Sequence, residues 1–281
     1  MRLSRAGWWA LGVLLGLAVA TWLVPLFSAA DPLAIGEIVG QRLLPPGARG
    51  ANGELHILGT DRFGRDLFTR MMLAGRLSLA IGVGGSVLAA LIGVIIGATS
   101  GWLGGVFDRL MMALADALLS IPRLILLLLC AALWQPGVAT VVFVLAATGW
   151  MGVARLMRAE VQGVRARAFV DAARTAGARD ERLLLRHVLP NALGPAIVAT
   201  TLGVGNAILL EAGLAFLGLG VQPPHPSWGN LIAGGRDLVV NAPWVAVAPG
   251  IALIVTVCCC TLLGDDMRDR LAGERLLGER A

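Results

Sequence analysis

Six stretches of mostly apolar residues govern what this chain can become: 8–27, 77–99, 110–134, 138–156, 193–212 and 244–263. A helix needs about 20 such residues to cross the hydrocarbon core of a bilayer. Lipid admits only backbones that satisfy their own hydrogen bonds, so the pattern predicts an all-α integral membrane protein with six spans. Of 281 residues, 57% are hydrophobic and 15% charged, too little charge to cover a soluble domain of this length. The third stretch is the weakest, because Asp116, Pro122 and Arg123 interrupt it. The second holds Gly93 and Gly97 four residues apart, a spacing that lets another helix approach closely.

All 23 basic residues are Arg. Without Lys the chain cannot carry a G-x-x-x-x-G-K-[ST] phosphate loop, so any ATP hydrolysis has to come from a partner. Arg2 and Arg5 precede the first span; Arg155, Arg158, Arg165, Arg167, Arg174, Arg179, Arg182 and Arg186 follow the fourth; Arg268, Arg270, Arg275 and Arg280 follow the sixth. With six spans these regions share one side, and the excess of Arg makes that side cytoplasmic. Both termini are then cytoplasmic, and 28–76 and 215–243 face outward. The same topology accounts for the pI of about 10.1, so no nucleic-acid partner is expected. Arg2, Arg5, an apolar core and Ser28-Ala29-Ala30 also suit a cleaved signal, but the core exceeds the usual 7–15 residues. Retention of the first span is the expectation. Cys130, Cys258, Cys259 and Cys260 lie in apolar stretches, and His56, His187 and His225 are far apart. Neither set has metal-ligand spacing, and no nucleophile or paired-carboxylate motif suggests an enzyme. No cofactor or metal is expected in this chain.

The most informative stretch is the loop 169–190. Phe169, Ala172, Ala173 and Ala176 recur at i, i+3, i+4 and i+7, which places them on one helical stripe. Arg167, Asp171 and Arg174 fall on the opposite side, and Gly177 can end the helix in a left-handed conformation. A second helical stretch, 183–188, is punctuated by Pro190. The spacing resembles the EAA loop of ABC importer permeases: Glu-Ala-Ala, three residues, Gly, nine residues, then Ile-x-Leu-Pro. Asp171-Ala172-Ala173 stands three residues before Gly177, and nine more lead to His187-Val188-Leu189-Pro190. Asp171 replaces Glu and His187 replaces Ile. The form Arg-His-Val-Leu-Pro-Asn is usual in the dipeptide, oligopeptide and nickel branch.

The resemblance runs through nearly the whole chain. It includes Leu58-Gly59-Thr60-Asp61, Gly64-Arg65-Asp66, Gly75-Arg76-Leu77-Ser78-Leu79, Ser120-Ile121-Pro122, the segment from Glu211 to Gly229, and Leu263-Gly264-Asp265-Asp266-Met267-Arg268-Asp269. It implies a type I ABC importer permease fold with a cytoplasmic coupling helix, in a bacterial inner membrane. The implied partners are a homologous permease, two ATP-binding subunits that hold ATP and Mg, and an extracytoplasmic solute-binding protein. The implied cargo is short peptides, with nickel or another small solute as the alternative. Phe169, Asp171, Ala172, Ala173, Ala176, Gly177, His187, Leu189 and Pro190 would then receive the drive from the ATPases.

Outside that loop, Asp116 and Arg123 are seven residues apart, hence on one helical stripe about 10 Å along the axis. They are candidates for the translocation path, as are Glu211 and the Pro223-Pro224 segment, which cannot be regular helix. Asp116, Arg123 and Glu211 are also the only coupling groups that a self-sufficient secondary transporter could use here. The alternation of charge and Phe63, Leu67 and Phe68 predicts an amphipathic helix lying in the interface over 61–76. Three regions follow: 1–76, a five-span domain 77–270, and a tail 271–281.

Overall fold

The computed structural model describes residues 3–27, 38–50 and 53–278; Arg2, Ser28-Ala29-Ala30 and Arg280 lie outside them. Helix α1, Arg5–Phe27, is followed by a single turn, α2, Ile38–Gln41. A short antiparallel hairpin pairs β1, Ala48–Arg49, with β2, Leu55–His56. Then come α3, Leu67–Leu103; α4, Gly105–Leu119; α5, Arg123–Ala132; α6, Val138–Ala147; and α7, Trp150–Arg165. The loop between α7 and α10 holds α8, Ala168–Thr175, and α9, Asp180–Arg182, and a π-helical turn, Leu183–Val188, leads into α10, Leu189–Phe216. Helix α11, Trp228–Gly235, and α12, Trp244–Gly278, complete the bundle.

Helix α3 is one rod from Leu67 to Leu103, so no separate interfacial helix covers 61–76. Residues before Leu67 close instead around Asp61, whose carboxylate accepts from Phe63 N, Arg65 N and Arg65 Nε. Asp66 caps α3 by accepting from Thr69 N at 2.8 Å. Two cations lie in the first turns of the rod: Arg70 sits 3.5 Å from Asp61, and Arg76 finds partners on α1. Pro25 has no N–H, which leaves the Thr21 carbonyl without its helical donor. Arg76 Nε donates to that oxygen at 2.7 Å and Arg76 Nη2 donates to Trp22 O at 2.6 Å. The guanidinium also lies 4.9 Å from the Trp22 ring centre.

The third apolar stretch breaks at Ser120–Pro122, and α4 and α5 meet at 93°. Pro122 has no amide hydrogen to continue α4 and serves as the N-cap of α5. Asp116 and Arg123 therefore do not share a helical stripe. The bent pair still carries the chain from one end of the bundle to the other. Trp102, near the end of α3, packs with the coupling loop, whereas Val138 and Val141, at the start of α6, pack with Leu214 and Val221. With α1, α3, α6–α7, α9–α10 and α12, this makes six crossings among the described residues. The ends of α1 and α12 meet at the coupling-loop end: Ser4 N donates to Asp266 Oδ2 at 3.0 Å, and a methyl on Gly194 would lie 3.1 Å from Leu271. The sequence boundaries after 76 and 270 fall inside α3 and α12.

The tightest contact joins α3 to α7. A Cβ on Gly93 would lie 2.6 Å from Val153 Cβ, one on Gly101 2.8 Å from the Arg158 carbonyl, and one on Gly97 would overlap the Ala154 carbonyl. The small-residue spacing thus extends one step beyond Gly93 and Gly97. Among the cysteines, Cys259 and Cys260 are buried free thiols, and a Cβ on Gly205 would lie 3.2 Å from Cys260 Cβ. Gly97→Val is expected to lower stability by about 1–3 kcal/mol or more through overpacking. Gly12→Ala, whose new methyl meets nothing within 4 Å, is expected to be neutral. Thermal unfolding of the two purified variants in detergent checks this.

Candidate coupling segment and central cavity

Helix α8 begins after Arg167, whose backbone is extended, and ends at Gly177, where φ is +83°. Gly177 N donates to Arg174 O and Ala178 N to Ala173 O, so the left-handed glycine closes the helix as its position suggested. Phe169, Ala172 and Ala176 are exposed, while Ala173 is half-buried. The small-residue stripe is therefore largely unpartnered in this chain. Asp171 is exposed and pairs with Arg174 at 3.4 Å. Val170, which is 0% exposed, holds α8 to the protein, with Ala173 packed at the margin of the same core. It packs with Val161 and Val164 of α7, Leu183 and Val188 of the π turn, and Ala192 of α10.

Pro190 does not interrupt the backbone helix. The wide turn Leu183–Val188 precedes it, and the chain continues from Asp180 to Phe216. His187 and Leu189 are half-buried, and the His187 carbonyl accepts from Asn191 Nδ2 at 2.7 Å. Arg165 Nη1 donates to Trp102 O at 2.6 Å and stacks 5.2 Å from the Trp102 ring centre, tying α7 to the end of α3. The loop's apolar base thus rests on α3, α7 and α10 at once. Val170 was not singled out from sequence; as the lone β-branched apolar residue between Ala168 and Thr175, it carried the available signal.

Half-way along the bundle, α3, α5, α7 and α10 surround a cavity of about 320 Å³. Arg123, at the first turn of α5, lines it together with Gly85, Ser86, Gly149, Gly203 and Asn206. Asp116 lies elsewhere, exposed, 3.3 Å from Arg155. The ion pair that anchors α4 is Asp108 with Arg158, joined by two contacts at 2.5 and 2.6 Å. Glu211 is 0% exposed and accepts from Ser227 Oγ at 2.7 Å. The same hydroxyl accepts from Asn230 N, capping α11. Trp228 N donates to Ser78 Oγ, and Trp228 Nε1 donates to Met71 O, both at 3.0 Å. Glu211 in this state is an internal anchor of α11 against α10 and α3. Pro223 and Pro224 are exposed and border a hollow of about 300 Å³ with Asp61, Arg65 and His225, at the end opposite α8.

The model of the binding-protein-dependent transport system inner membrane component matches residues 89–272. This chain belongs to that family. A Brucella suis protein provisionally named a peptide transport system permease is 40% identical, over 96% of this chain and 89% of its own length. The oligopeptide transport system permease protein OppC of Bacillus subtilis is 39% identical, over 77% of this chain and 71% of its own. A chain of the MetNI methionine ABC transporter in an inward-facing conformation superposes with a TM-score of 0.55 at 20% identity, over 72% of this chain and 95% of that one. The fold is that of type I ABC importer permeases, all-α and multi-pass, in the inner membrane. The permease is a transport subunit.

Removing the Glu211 side chain leaves the Ser227 hydroxyl without its acceptor in a closed site. Glu211→Ala is expected to lower stability by about 1–3 kcal/mol, whereas Glu211→Gln, which keeps an acceptor oxygen, costs about 1 kcal/mol or less. Thermal unfolding of both variants separates the two.

Proposed function

We propose that the permease is one of two homologous transmembrane subunits that form the path for short peptides in an ATP-driven importer. Its relatives in Brucella suis and Bacillus subtilis carry peptide-transport names, and this chain covers most of their length. ATP and Mg are held by two partner ATPase subunits, consistent with the absence of a lysine-bearing phosphate loop from this sequence. An extracytoplasmic solute-binding protein delivers the cargo from outside. The coupling segment and both termini of the chain face the cytoplasm, where the Arg excess favours them.

The observation that carries this reading is the construction of α8. Its outer stripe, Phe169, Ala172 and Ala176, is exposed, and its inner face is fixed by Val170 to a core shared with α3, α7 and α10. A helix built this way offers a small-residue face to a groove on another protein and a firm link to three spans. When the ATPases close on ATP they move α8, and the link to the spans turns that motion into a change of the open side. Asp171 and the first turn of α8 meet the ATPase; Gly177 sets where α8 ends; His187, Leu189 and Pro190 form the return into α10.

Asp171→Arg and Gly177→Val are expected to reduce peptide uptake to background while the permease still inserts and assembles. Gly177→Val puts a β-branched residue at positive φ, a strain of about 1–2 kcal/mol that is confined to the end of α8. The measurements are uptake of a labelled tripeptide into proteoliposomes and ATP hydrolysis stimulated by the binding protein. Full uptake with normal stimulation in both variants would remove the coupling role from this segment.

A further inference from the structure

Most inward-pointing Arg residues of the bundle have an evident partner. Arg76 takes the Thr21 and Trp22 carbonyls, Arg158 takes Asp108, and Arg165 takes the Trp102 carbonyl. Arg123 does not. Its guanidinium forms no hydrogen bond or ion pair among the described residues, and its Nε is shut off from solvent. A cation at mid-depth of a membrane protein is costly unless it meets water or an anion. None of the residues lining its cavity is acidic.

The walls around Arg123 suit an incoming anion. A Cβ on Gly149 would come within 3.1 Å of Arg123 Nη2 and one on Gly203 within 3.2 Å of Ser86 Oγ, so these two glycines leave both polar groups clear. Ser86 and Asn206 line the same space, and neither side chain has a hydrogen-bond partner among the described residues. Arg123 also stands in the first turn of α5, a ten-residue helix whose N-terminal end adds positive potential. A guanidinium fork matches a carboxylate in plane and spacing, and a hydroxyl and an amide can complete its shell. The volume of about 320 Å³ lies in the range of small-ligand pockets.

We propose that Arg123, with Ser86 and Asn206, forms a carboxylate-binding subsite in the translocation path that holds the C-terminal carboxylate of a peptide in transit. The proposal rests on the reading of the permease as a peptide importer subunit.

The test uses the assembled transporter in nanodiscs, without the binding protein, and two probes, tri-alanine and tri-alanine amide. The wild type is expected to bind the free acid at least about tenfold more tightly than the amide, the order of a charge-assisted hydrogen-bond pair. Arg123→Gln should weaken the acid about tenfold and bring the two probes level, and Arg123→Lys should keep part of the preference. An unchanged acid-to-amide ratio in Arg123→Gln overturns the subsite while leaving the peptide reading intact. Loss of the partner permease from Arg123→Gln preparations also overturns it, because the cation would then be pairing with an acid across the subunit boundary. A wild type that neither binds tri-alanine nor transports it with the binding protein present sinks the peptide reading itself, and the subsite with it.

Discussion

The backbone-to-backbone approach of α3 and α7 along Gly93, Gly97 and Gly101 is the contact on which the bundle depends. In lipid there is no hydrophobic drive to bring helices together, so close packing has to supply the attraction. Three glycines at four-residue intervals remove the side chains that would keep the rods apart. Toward one end, this contact continues into the core of Trp102, Met157 and Val161 that carries the coupling segment. Toward the middle, the chain breaks between α6 and α7 at Gly149, which packs closely on Ala89 of α3 and also lines the cavity beside Arg123. Dense packing and open space thus adjoin on the same pair of helices, with Val153 belonging to both.

Arg123 apart, three guanidinium groups of the bundle follow one rule, that each is placed where an oxygen is already short of a donor or lacks a counter-charge. The Thr21 carbonyl, released by Pro25, receives Arg76; the end of α3 at Trp102 receives Arg165; Asp108 receives Arg158. These pairings set helix against helix: α1 on α3, α7 on α3, and α4 on α7. Having only Arg as a cation suits this, because the planar fork reaches two acceptors at once, as Arg76 and Arg158 do.

The spans, the close-approach glycines, the end of α8 at Gly177 and the weakness of the third stretch were all legible from the order of residues. Those features depend on local spacing and on a few strong breakers. The alternation of charge with Phe63, Leu67 and Phe68 reads as one interfacial helix over 61–76, but the stretch divides at Leu67. Before it the chain closes around Asp61, and after it Arg76 reaches α1, a partner 55 positions away. The Asp116–Arg123 stripe assumed that the helix passed Pro122 unbroken, and the 93° turn removed it. In the coupling loop the four-residue stripe drew attention to the exposed face. Val170, which faces the other way, is a single residue with no repeat to announce it. Glu211 reads from sequence as a candidate for the translocation path, yet Ser227, which gives it a purpose inside the fold, becomes its neighbour only when α11 folds back.

Val170 also determines which motions α8 can pass on. Val170 lies fully inside the core and Ala173, one turn on, packs against its margin, so α8 is held along one face and cannot be pulled, pushed or rolled without carrying that core along. In the proposed coupling role, a partner gripping the outer stripe would therefore move α7 and α10 together with α8, as a handle moves the part it is fixed to.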